Sequence, residues 1–99
     1  MRKVLDEQME VFGGEADALN VTTEHLSKMK YLECCVKEAL RLYPSVPIIG
    51  RDMEKDAMID GVSVEKGTTA IVFVHLLHRN PTIWSQPDEF IPERFMDLR

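Results

Sequence analysis

The chain has 99 residues, of which 44% are hydrophobic and 29% are charged, and both values are typical of a globular protein. This length is enough for one small domain and too short for two. The formal net charge of −5 argues against a nucleic-acid-binding protein, because such proteins present an excess of basic residues. Cys34 and Cys35 are adjacent, and a bridge between neighbours is strained, so we interpret both as reduced core-type residues.

The sequence contains no candidate membrane span, since no segment approaches the roughly 20 apolar residues that a span needs. Arg2 and Lys3 are basic, but no apolar core follows them, and the N-terminus therefore lacks the pattern of a signal peptide. We expect either a soluble protein or one whose targeting segment lies outside this chain.

Helical signals fill the first half of the chain. Residues 3–12 predict a helix that Gly13 and Gly14 end, and the absence of an N-cap before it suggests that the chain was cut inside this helix. Thr22 or Thr23 is a suitable cap for a short helix through Met29. The main helix, 30–43, is predicted by apolar residues at three- and four-residue steps and ends before Pro44; these residues are Met29, Leu32, Val36, Ala39, Leu40 and Tyr43.

The second half has the pattern of β-structure. Residues 57–59 and 62–64 flank an Asp-Gly pair, which predicts a hairpin. The β-branched and aromatic run 68–75 predicts a strand that is buried on both faces. One or two helical turns are expected over 75–80, and an irregular loop from Pro81 to Arg99. The order of helices, small sheet and loop predicts the α+β class.

Glu38 and Arg41 lie three residues apart on the main helix, so their side chains face the same way and can form an ion pair. Helical geometry of about 100° per residue places both roughly opposite the apolar stripe. Taken alone, such a pair indicates only a solvated surface contact, because a Glu-x-x-Arg occurs by chance in about one chain in three of this size.

The residues around this pair carry a stronger signal. Residues 38–44 read EALRLYP and residues 92–95 read PERF. Both strings, in this order and near this spacing, resemble the E-x-x-R helix and the P-E-R-F loop of the cytochrome P-450 family of heme-thiolate monooxygenases. The material between them agrees with that family, namely GRD at 50–52, DG at 60–61, KGT at 66–68 and HRNPxxW at 78–84. The resemblance covers essentially the whole chain.

The resemblance implies that residues 1–99 are a single fragment of a mainly-α cytochrome P-450 fold. This fragment would contain the end of one helix, the E-x-x-R helix, a β-hairpin and strand, and the P-E-R-F loop. The family's heme-ligand loop, of the type F-x-x-G-x-x-x-C-x-G, lies downstream of the P-E-R-F loop and is expected to be absent from this chain.

In the family, Glu and Arg of the helix pair with the arginine of the later loop, which implies a trio of Glu38, Arg41 and Arg94. A bidentate contact of this kind fixes a loop that has little regular structure of its own. The resemblance therefore implies that the trio forms the scaffold of the heme site, with no acid–base role. No catalytic residue is assigned to this chain.

Two further sites follow from the resemblance. Arg51 stands where the family places an arginine that binds a heme propionate, and the alternative is an ordinary surface arginine on an edge strand. The family lines its substrate pocket in the turn that corresponds to Val46, Pro47, Ile48 and Ile49, and an apolar lining suits a hydrophobic substrate. The alternative for each of these four residues is a plain buried strand entry.

Neither cysteine and none of the histidines is assigned to a metal. Cys34 and Cys35 lie on the helix, upstream of the P-E-R-F loop and with no glycine near them, unlike the family's ligand. His75 and His78 are three residues apart but lack a cysteine or carboxylate at matched spacing. We interpret His78 as structural and His25 as a surface residue.

The run 32–47 looks most like the fatty-acid ω-hydroxylase branch, family four, and especially its insect members. The resemblance implies a heme-dependent enzyme that inserts one oxygen atom of O₂ into a C–H bond of a hydrophobic, fatty-acid-like substrate. Electrons would come from NADPH through a partner reductase, and a cysteine thiolate would favour O–O cleavage. The parent is expected at the endoplasmic reticulum membrane, through a segment not present here.

We expect the isolated fragment to be inactive, to bind no heme stably and to fold poorly, because its apolar stripe and strand need covering parts. One alternative is a complete, non-catalytic α+β domain that binds a protein or a small apolar ligand, or a truncated relative. An enzyme with its own acid–base site has only Glu38 and Arg41 to offer and is the least supported interpretation.

Overall fold

The computed structural model describes residues 1–13 and 20–96. The predictions made for Gly14 and for the end of the loop at 97–99 therefore lie outside the described residues. Residues 1–40 and 89–96, where described, form one compact unit, and residues 41–88 form a second. The described elements confirm the α+β class: α1 Arg2–Phe12, α2 Thr23–Lys28, α3 Lys30–Leu42, β1 Ile48–Asp52, β2 Ala57–Ile59, β3 Val62–Val64, β4 Thr69–Phe73, α4 Val74–Leu77, and a 3-10 turn, Pro92–Phe95.

The first two helices begin and end at the predicted signals. Gly13 ends α1 in the left-handed conformation, with φ of 69°, and its N–H donates to the carbonyl of Met9 at 2.8 Å. Thr22 caps α2 through a reciprocal capping box with His25, whose main-chain N–H lies 3.3 Å from Thr22 Oγ1. The His25 ring lies 4.9 Å from the Phe12 ring, and His25 remains partly exposed at the start of α2.

Helix α3 buries the face that the sequence assigned to solvent. Glu38 and Arg41 are 0% and 2% exposed, whereas Val36 and Leu40, from the apolar stripe, are 52% and 48% exposed. The alternative of a solvated surface pair therefore does not describe Glu38 and Arg41 in this structure. Burial of a charged side chain needs hydrogen bonds or an opposite charge to replace its water, and Glu38 has Arg94 while Arg41 has two main-chain carbonyls.

The second unit contains two separate two-stranded sheets. β1 and β4 pair antiparallel, with Ile48 opposite Phe73 and Gly50 opposite Ile71. β2 and β3 form the predicted hairpin, and its turn residues Asp60 and Gly61 have φ of 47° and 77°. Positive φ at both turn positions is what a two-residue hairpin of this hand requires, and it explains the Asp-Gly pair.

The prediction that β4 is buried on both faces is wrong for this structure. Ile71, Val72 and Phe73 are 55%, 44% and 50% exposed. Because successive side chains of a strand point to opposite faces, Ile71 and Phe73 lie on one face of the β1–β4 sheet and Val72 on the other, and both faces are largely exposed. Across the described part of the chain, the buried hydrophobic residues are Met29, Cys34 and Leu42.

The elements after β4 are short. α4 is a single turn, Val74–Leu77, which begins one residue before the region 75–80 predicted to be helical. The carbonyl of Asn80 accepts the N–H groups of Ile83 and Trp84 at 3.0 and 2.9 Å. The P-E-R-F segment, predicted as loop, forms a 3-10 turn with proline at its start. None of the helices in the described ranges has the length and hydrophobicity required to cross a membrane.

Candidate functional site

The centre of the first unit is the carboxylate of Glu38. Glu38 Oε1 accepts a hydrogen bond from the main-chain N–H of Ile91 at 2.9 Å and another from Arg94 Nε at 3.0 Å. The carboxylate is fully buried, and the Arg94 side chain is only 12% exposed. A charge-assisted pair in this setting is stronger than a surface pair, because little water competes with it. The structure thus brings Glu38 and Arg94 together, as predicted.

The P-E-R-F turn has additional attachments in the same unit. Arg94 Nη2 donates to the carbonyl of Glu89 at 3.3 Å, which ties the turn to the residues before it. Glu93 forms an ion pair with Lys3 of α1 and accepts a hydrogen bond from the Tyr31 hydroxyl of α3 at 3.2 Å. The Lys3 ammonium also lies 5.3 Å from the centre of the Tyr31 ring. The turn is therefore linked to both α1 and α3.

Neighbouring groups shift the pKa of the Glu93 carboxyl. The hydrogen bond from Lys3 is the main cause that lowers the pKa of the Glu93 carboxyl, with a smaller contribution from Tyr31. The same contact raises the pKa of the Lys3 ammonium. Both groups are well exposed, at 42% and 65% of their side-chain surface, so solvent weakens the pair relative to that of Glu38 and Arg94.

Glu7 of α1 caps the amino end of α3. Its carboxylate accepts the main-chain N–H groups of Tyr31 at 2.7 Å and Leu32 at 2.9 Å. The first N–H groups of a helix have no partner within the helix, and a negative charge there also interacts favourably with the helix dipole. This contact fixes the start of the helix that carries Glu38.

Arg41 is buried in the second unit. Its Nη1 donates to the carbonyls of His78 at 2.9 Å and Pro87 at 2.7 Å, and its guanidinium lies 5.2 Å from the centre of the Trp84 ring. Of the predicted trio, Glu38 contacts Arg94, and Arg41 contacts carbonyls of the segment that follows α4.

Arg51 lies on β1, at an open groove of about 480 Å³ whose other lining residues are mostly apolar. Its side chain is exposed, and it has no hydrogen-bond or ion-pair partner among residues 1–13 and 20–96. The residue before it is Gly50. A Cβ added to Gly50 would lie 3.9 Å from the carbonyl oxygen of Ala70 and 4.0 Å from the Thr69 side chain, which is ordinary van der Waals contact. The lining residues besides Gly50 and Arg51 are Ile49, Met53, Ile59, Ala70 and Val72.

The four predicted substrate-pocket residues are all exposed. Val46, Ile48 and Ile49 are 58%, 51% and 50% exposed, and Pro47 is exposed as well. Ile48 and Ile49 are consecutive residues of β1, so their side chains lie on opposite faces of the strand. Of the four, Ile49 lines the same groove as Arg51. The alternative of a buried strand entry does not describe these residues in this structure.

The two cysteines differ in exposure. Cys34 is 2% exposed and Cys35 is half-buried, and both are free thiols on α3. Burial is the main cause that raises the pKa of the Cys35 thiol, which keeps it protonated at neutral pH. Within the described ranges there is also no cluster of three or more His, Cys, Asp and Glu side chains suited to a metal.

Sequence reasoning missed several residues of this network. Glu7, Lys3 and Tyr31 lack a local pattern that announces their contacts, because their partners lie 24 to 90 positions away in the chain. Arg79 belongs to the HRNP string at 78–81, and the sequence predicted no contact for it. Glu93 belongs to the P-E-R-F string, in which the resemblance implies a role for the arginine alone.

Known proteins resemble the whole of this chain. The sequence profile of the family described as Cytochrome P450 matches residues 1–99. Cytochrome P450 4V2 of Mus musculus is 48% identical over 94 residues, which are 95% of this chain and 18% of that protein. Cytochrome P450 4e2 of Drosophila melanogaster is 47% identical over 94 residues, with the same two shares.

A third relative, from Sus scrofa, is named taurochenodeoxycholic 6 alpha-hydroxylase and is 42% identical over 87 residues, or 87% of this chain and 17% of that protein. The chain thus spans less than a fifth of the length of these relatives. The names confirm the resemblance to family four, insect members included. With a profile match over its full length, the chain belongs to the cytochrome P450 family.

Proposed function

We propose that this chain is a segment of a heme-dependent monooxygenase and that it forms part of the scaffold of the heme site. The observation that carries this proposal is the fully buried Glu38 carboxylate, which holds the main chain at Ile91 and the guanidinium of Arg94. A general acid or base must reach the proton that it transfers. At 0% exposure Glu38 reaches no substrate, so its role is to fix the P-E-R-F turn.

The charge and the exposure of Arg51 support its assignment to a heme propionate. It is an exposed guanidinium without a partner among the described residues, and it stands at the edge of a groove lined by apolar side chains. A flat apolar ring system that carries carboxylates has this same combination of surfaces, and a guanidinium can bind a carboxylate through two hydrogen bonds. When bound, heme supplies the oxygen-activating chemistry, and the chain supplies binding and orientation.

The iron ligand in this proposal is a cysteine downstream of the P-E-R-F turn, because neither Cys34 nor Cys35 is suited to the role. Both lie on α3, upstream of the P-E-R-F turn, and Cys34 is buried there. We therefore propose that the 99-residue chain alone is inactive and does not hold heme stably. Among the described residues three hydrophobic side chains are buried. Because so small a core stabilises little, we expect the isolated chain to fold weakly and with little cooperativity.

The proposed reaction of the parent inserts one atom of O₂ into a C–H bond of a hydrophobic, fatty-acid-like substrate and reduces the other atom to water. NADPH supplies the electrons through a partner reductase. The apolar side chains at Val46, Ile48 and Ile49 support a hydrophobic substrate, and one relative is named as a hydroxylase of a taurochenodeoxycholic substrate. We propose that the parent works at the endoplasmic reticulum membrane, through a segment outside these residues.

The test is expression of the full-length parent with purification of its bound cofactor. We expect about one heme per chain, a thiolate-type spectrum of the reduced carbonyl complex, and NADPH-dependent oxygenation of a fatty acid when reductase is added. The 99-residue chain, titrated with hemin under the same conditions, should show no saturable thiolate-type spectrum. Absence of heme from a folded full-length protein would refute the proposal.

A further inference from the structure

The carboxyl end of α3 is held by two side chains from the turn that follows α4. Arg79 Nη2 donates to the carbonyl of Leu42 at 3.0 Å, and His78 Nδ1 lies 3.2 Å from the carbonyl of Arg41. The last four carbonyls of a helix have no partner within the helix, so both contacts satisfy groups that would otherwise be left open. The His78 contact requires the tautomer with the proton on Nδ1, because a carbonyl only accepts.

The contact between Arg41 and His78 is reciprocal. The guanidinium of Arg41 donates to the carbonyl of His78, while the ring of His78 donates to the carbonyl of Arg41. Each residue therefore fixes the main chain of the other. Arg41 is 2% exposed and lies against the Trp84 ring, so water cannot readily replace either bond.

Arg79 extends this arrangement to the segment before the P-E-R-F turn. Besides its bond to Leu42, it forms an ion pair with Asp88 at 3.1 Å, and its guanidinium lies 5.5 Å from the centre of the Tyr43 ring. Arg41 likewise donates to the carbonyl of Pro87. The two arginines thus join the end of α3 to two consecutive residues, 87 and 88.

We propose that His78 and Arg79 are positioning residues that act on the heme site through Arg41, by clamping the carboxyl end of the E-x-x-R helix. This inference rests on the proposed function, since it assigns the clamp to the support of a heme site. Arg41, His78 and Arg79 are called the α3 clasp. Its members touch neither substrate nor cofactor, and their effect is on the position of Arg41 and of the chain at 87–88.

The test uses the full-length parent with three histidine variants and two variants of Arg79. His78→Leu removes the donor to the Arg41 carbonyl, and His78→Asn places an amide N–H near the position of Nδ1. His75→Leu is the matched control, because His75 is an exposed histidine of α4. Four quantities are measured for each: far-ultraviolet circular dichroism, heme per chain, the thiolate-type fraction in the spectrum of the reduced carbonyl complex, and amide exchange at the end of α3.

We expect His78→Leu to keep its helical content while its thiolate-type fraction falls, and His78→Asn to recover most of the loss. The control should match the parent. Amide exchange at the end of α3 should be about fivefold faster in His78→Leu, as expected when a buried carbonyl loses its donor. For Arg79, the change to Met should reproduce the loss, and the change to Lys should recover it only in part, since an ammonium lacks the fork that serves two acceptors.

Specific outcomes would overturn the inference. A parental thiolate-type fraction and parental amide exchange in His78→Leu would show that the ring does not position Arg41. Equal losses in His78→Leu and His78→Asn would assign the effect to shape and not to the hydrogen bond. If His78→Leu does not fold, the Arg79→Met and Arg79→Lys pair decides by the same readouts. Absence of heme from the unmodified parent would instead refute the proposed function, and a heme-binding parent with unaffected variants refutes the clasp alone.

Discussion

The Glu38 carboxylate and the Arg94 guanidinium form an ion pair of 3.0 Å across 56 residues of sequence, and Glu38 is completely buried. The same carboxylate oxygen accepts the main-chain N–H of Ile91, one residue before the 3-10 turn. Glu38 therefore holds the turn at two points. Removal of either partner would leave the other charge buried without compensation, so the stability of the protein depends on both residues being present.

Replacement of Glu38 by Gln is expected to destabilise the full-length protein by about 3 kcal/mol or more, since it leaves Arg94 without its countercharge. Arg94→Lys should be harmful too, because an ammonium cannot reproduce the planar guanidinium geometry. The measurement is the urea midpoint of the full-length protein, together with its heme content.

Glu33→Gln is the matched control for this change, because Glu33 lies on the same helix and pairs with Lys37 at 2.7 Å with about half of each side chain exposed. Loss of the Glu33–Lys37 ion pair should lower the free energy of unfolding by less than about 1 kcal/mol. Equal losses of stability in Glu38→Gln and Glu33→Gln would contradict a structural role for the buried Glu38 carboxylate.

The link between Lys3 and Glu93 should depend on pH in a defined direction. Lys3 lowers the pKa of Glu93 below its ordinary 4.5, so this stabilisation is present above 4.5 and is lost as the pH falls through the lowered pKa. Lys3 has a pKa above its ordinary 10.5, so its share is present below 10.5 and is lost as the pH rises through the raised pKa. Carboxyl NMR titration of Glu93 checks this.

A Lys3→Met variant should return the pKa of Glu93 toward its ordinary value. Lys28→Met serves as the comparison, because Lys28 lowers the pKa of a different carboxyl, that of Glu24. If the titration of Glu93 moves equally in both variants, the effect arises from net charge and not from the Lys3 contact.

The cap that Glu7 forms on α3 predicts local protection of two amides. In Glu7→Gln the carboxylate is replaced by a weaker acceptor, and we expect a loss of about 0.5–2 kcal/mol, the range found for helix caps. The N–H groups of Tyr31 and Leu32 should exchange faster with deuterium. Glu10→Gln, on the same helix and exposed, is expected to leave both exchange rates unchanged.

Arg51→Gln should weaken the retention of heme in the full-length protein without large loss of stability, since Arg51 has no partner within the described ranges. A charge-assisted hydrogen bond contributes about 1.5–3 kcal/mol, so transfer of heme to apomyoglobin should be about tenfold faster or more. Lys55→Gln removes the same charge from an exposed residue nearby and should transfer heme at the parental rate. A normal rate in Arg51→Gln would contradict the propionate assignment.

Local signals explain most of the elements. Gly13 ends α1 because glycine accepts the left-handed conformation, Thr22 caps α2 with its hydroxyl, and Asp60 with Gly61 supplies the two positive φ angles of the hairpin. Each of these features depends on residues within a few positions of one another. The helix α3 ends one residue earlier than predicted, at Leu42, within the uncertainty of any helix end.

Burial and long-range contacts were less predictable. The apolar periodicity of α3 placed Val36 and Leu40 in the core, but the structure buries Glu38 and Arg41. Which face of a helix is covered depends on partners distant in sequence, and these partners are Arg94 for Glu38 and His78 for Arg41. The pairing of β1 with β4 was not predicted for the same reason. The roles at the heme site remain predictions from resemblance to the family.

The hairpin of β2 and β3 has a consequence for the order of folding. It lies within the loop that the β1–β4 pair closes, between Asp52 and Thr69. A formed hairpin roughly halves the flexible chain that must be closed, and halving a loop lowers the entropic cost by about 0.6 kcal/mol. Hairpins of this kind form in about 1–10 μs. Gly61, which supports the turn, therefore affects how fast the strand that carries Arg51 finds its partner, although it belongs to neither strand.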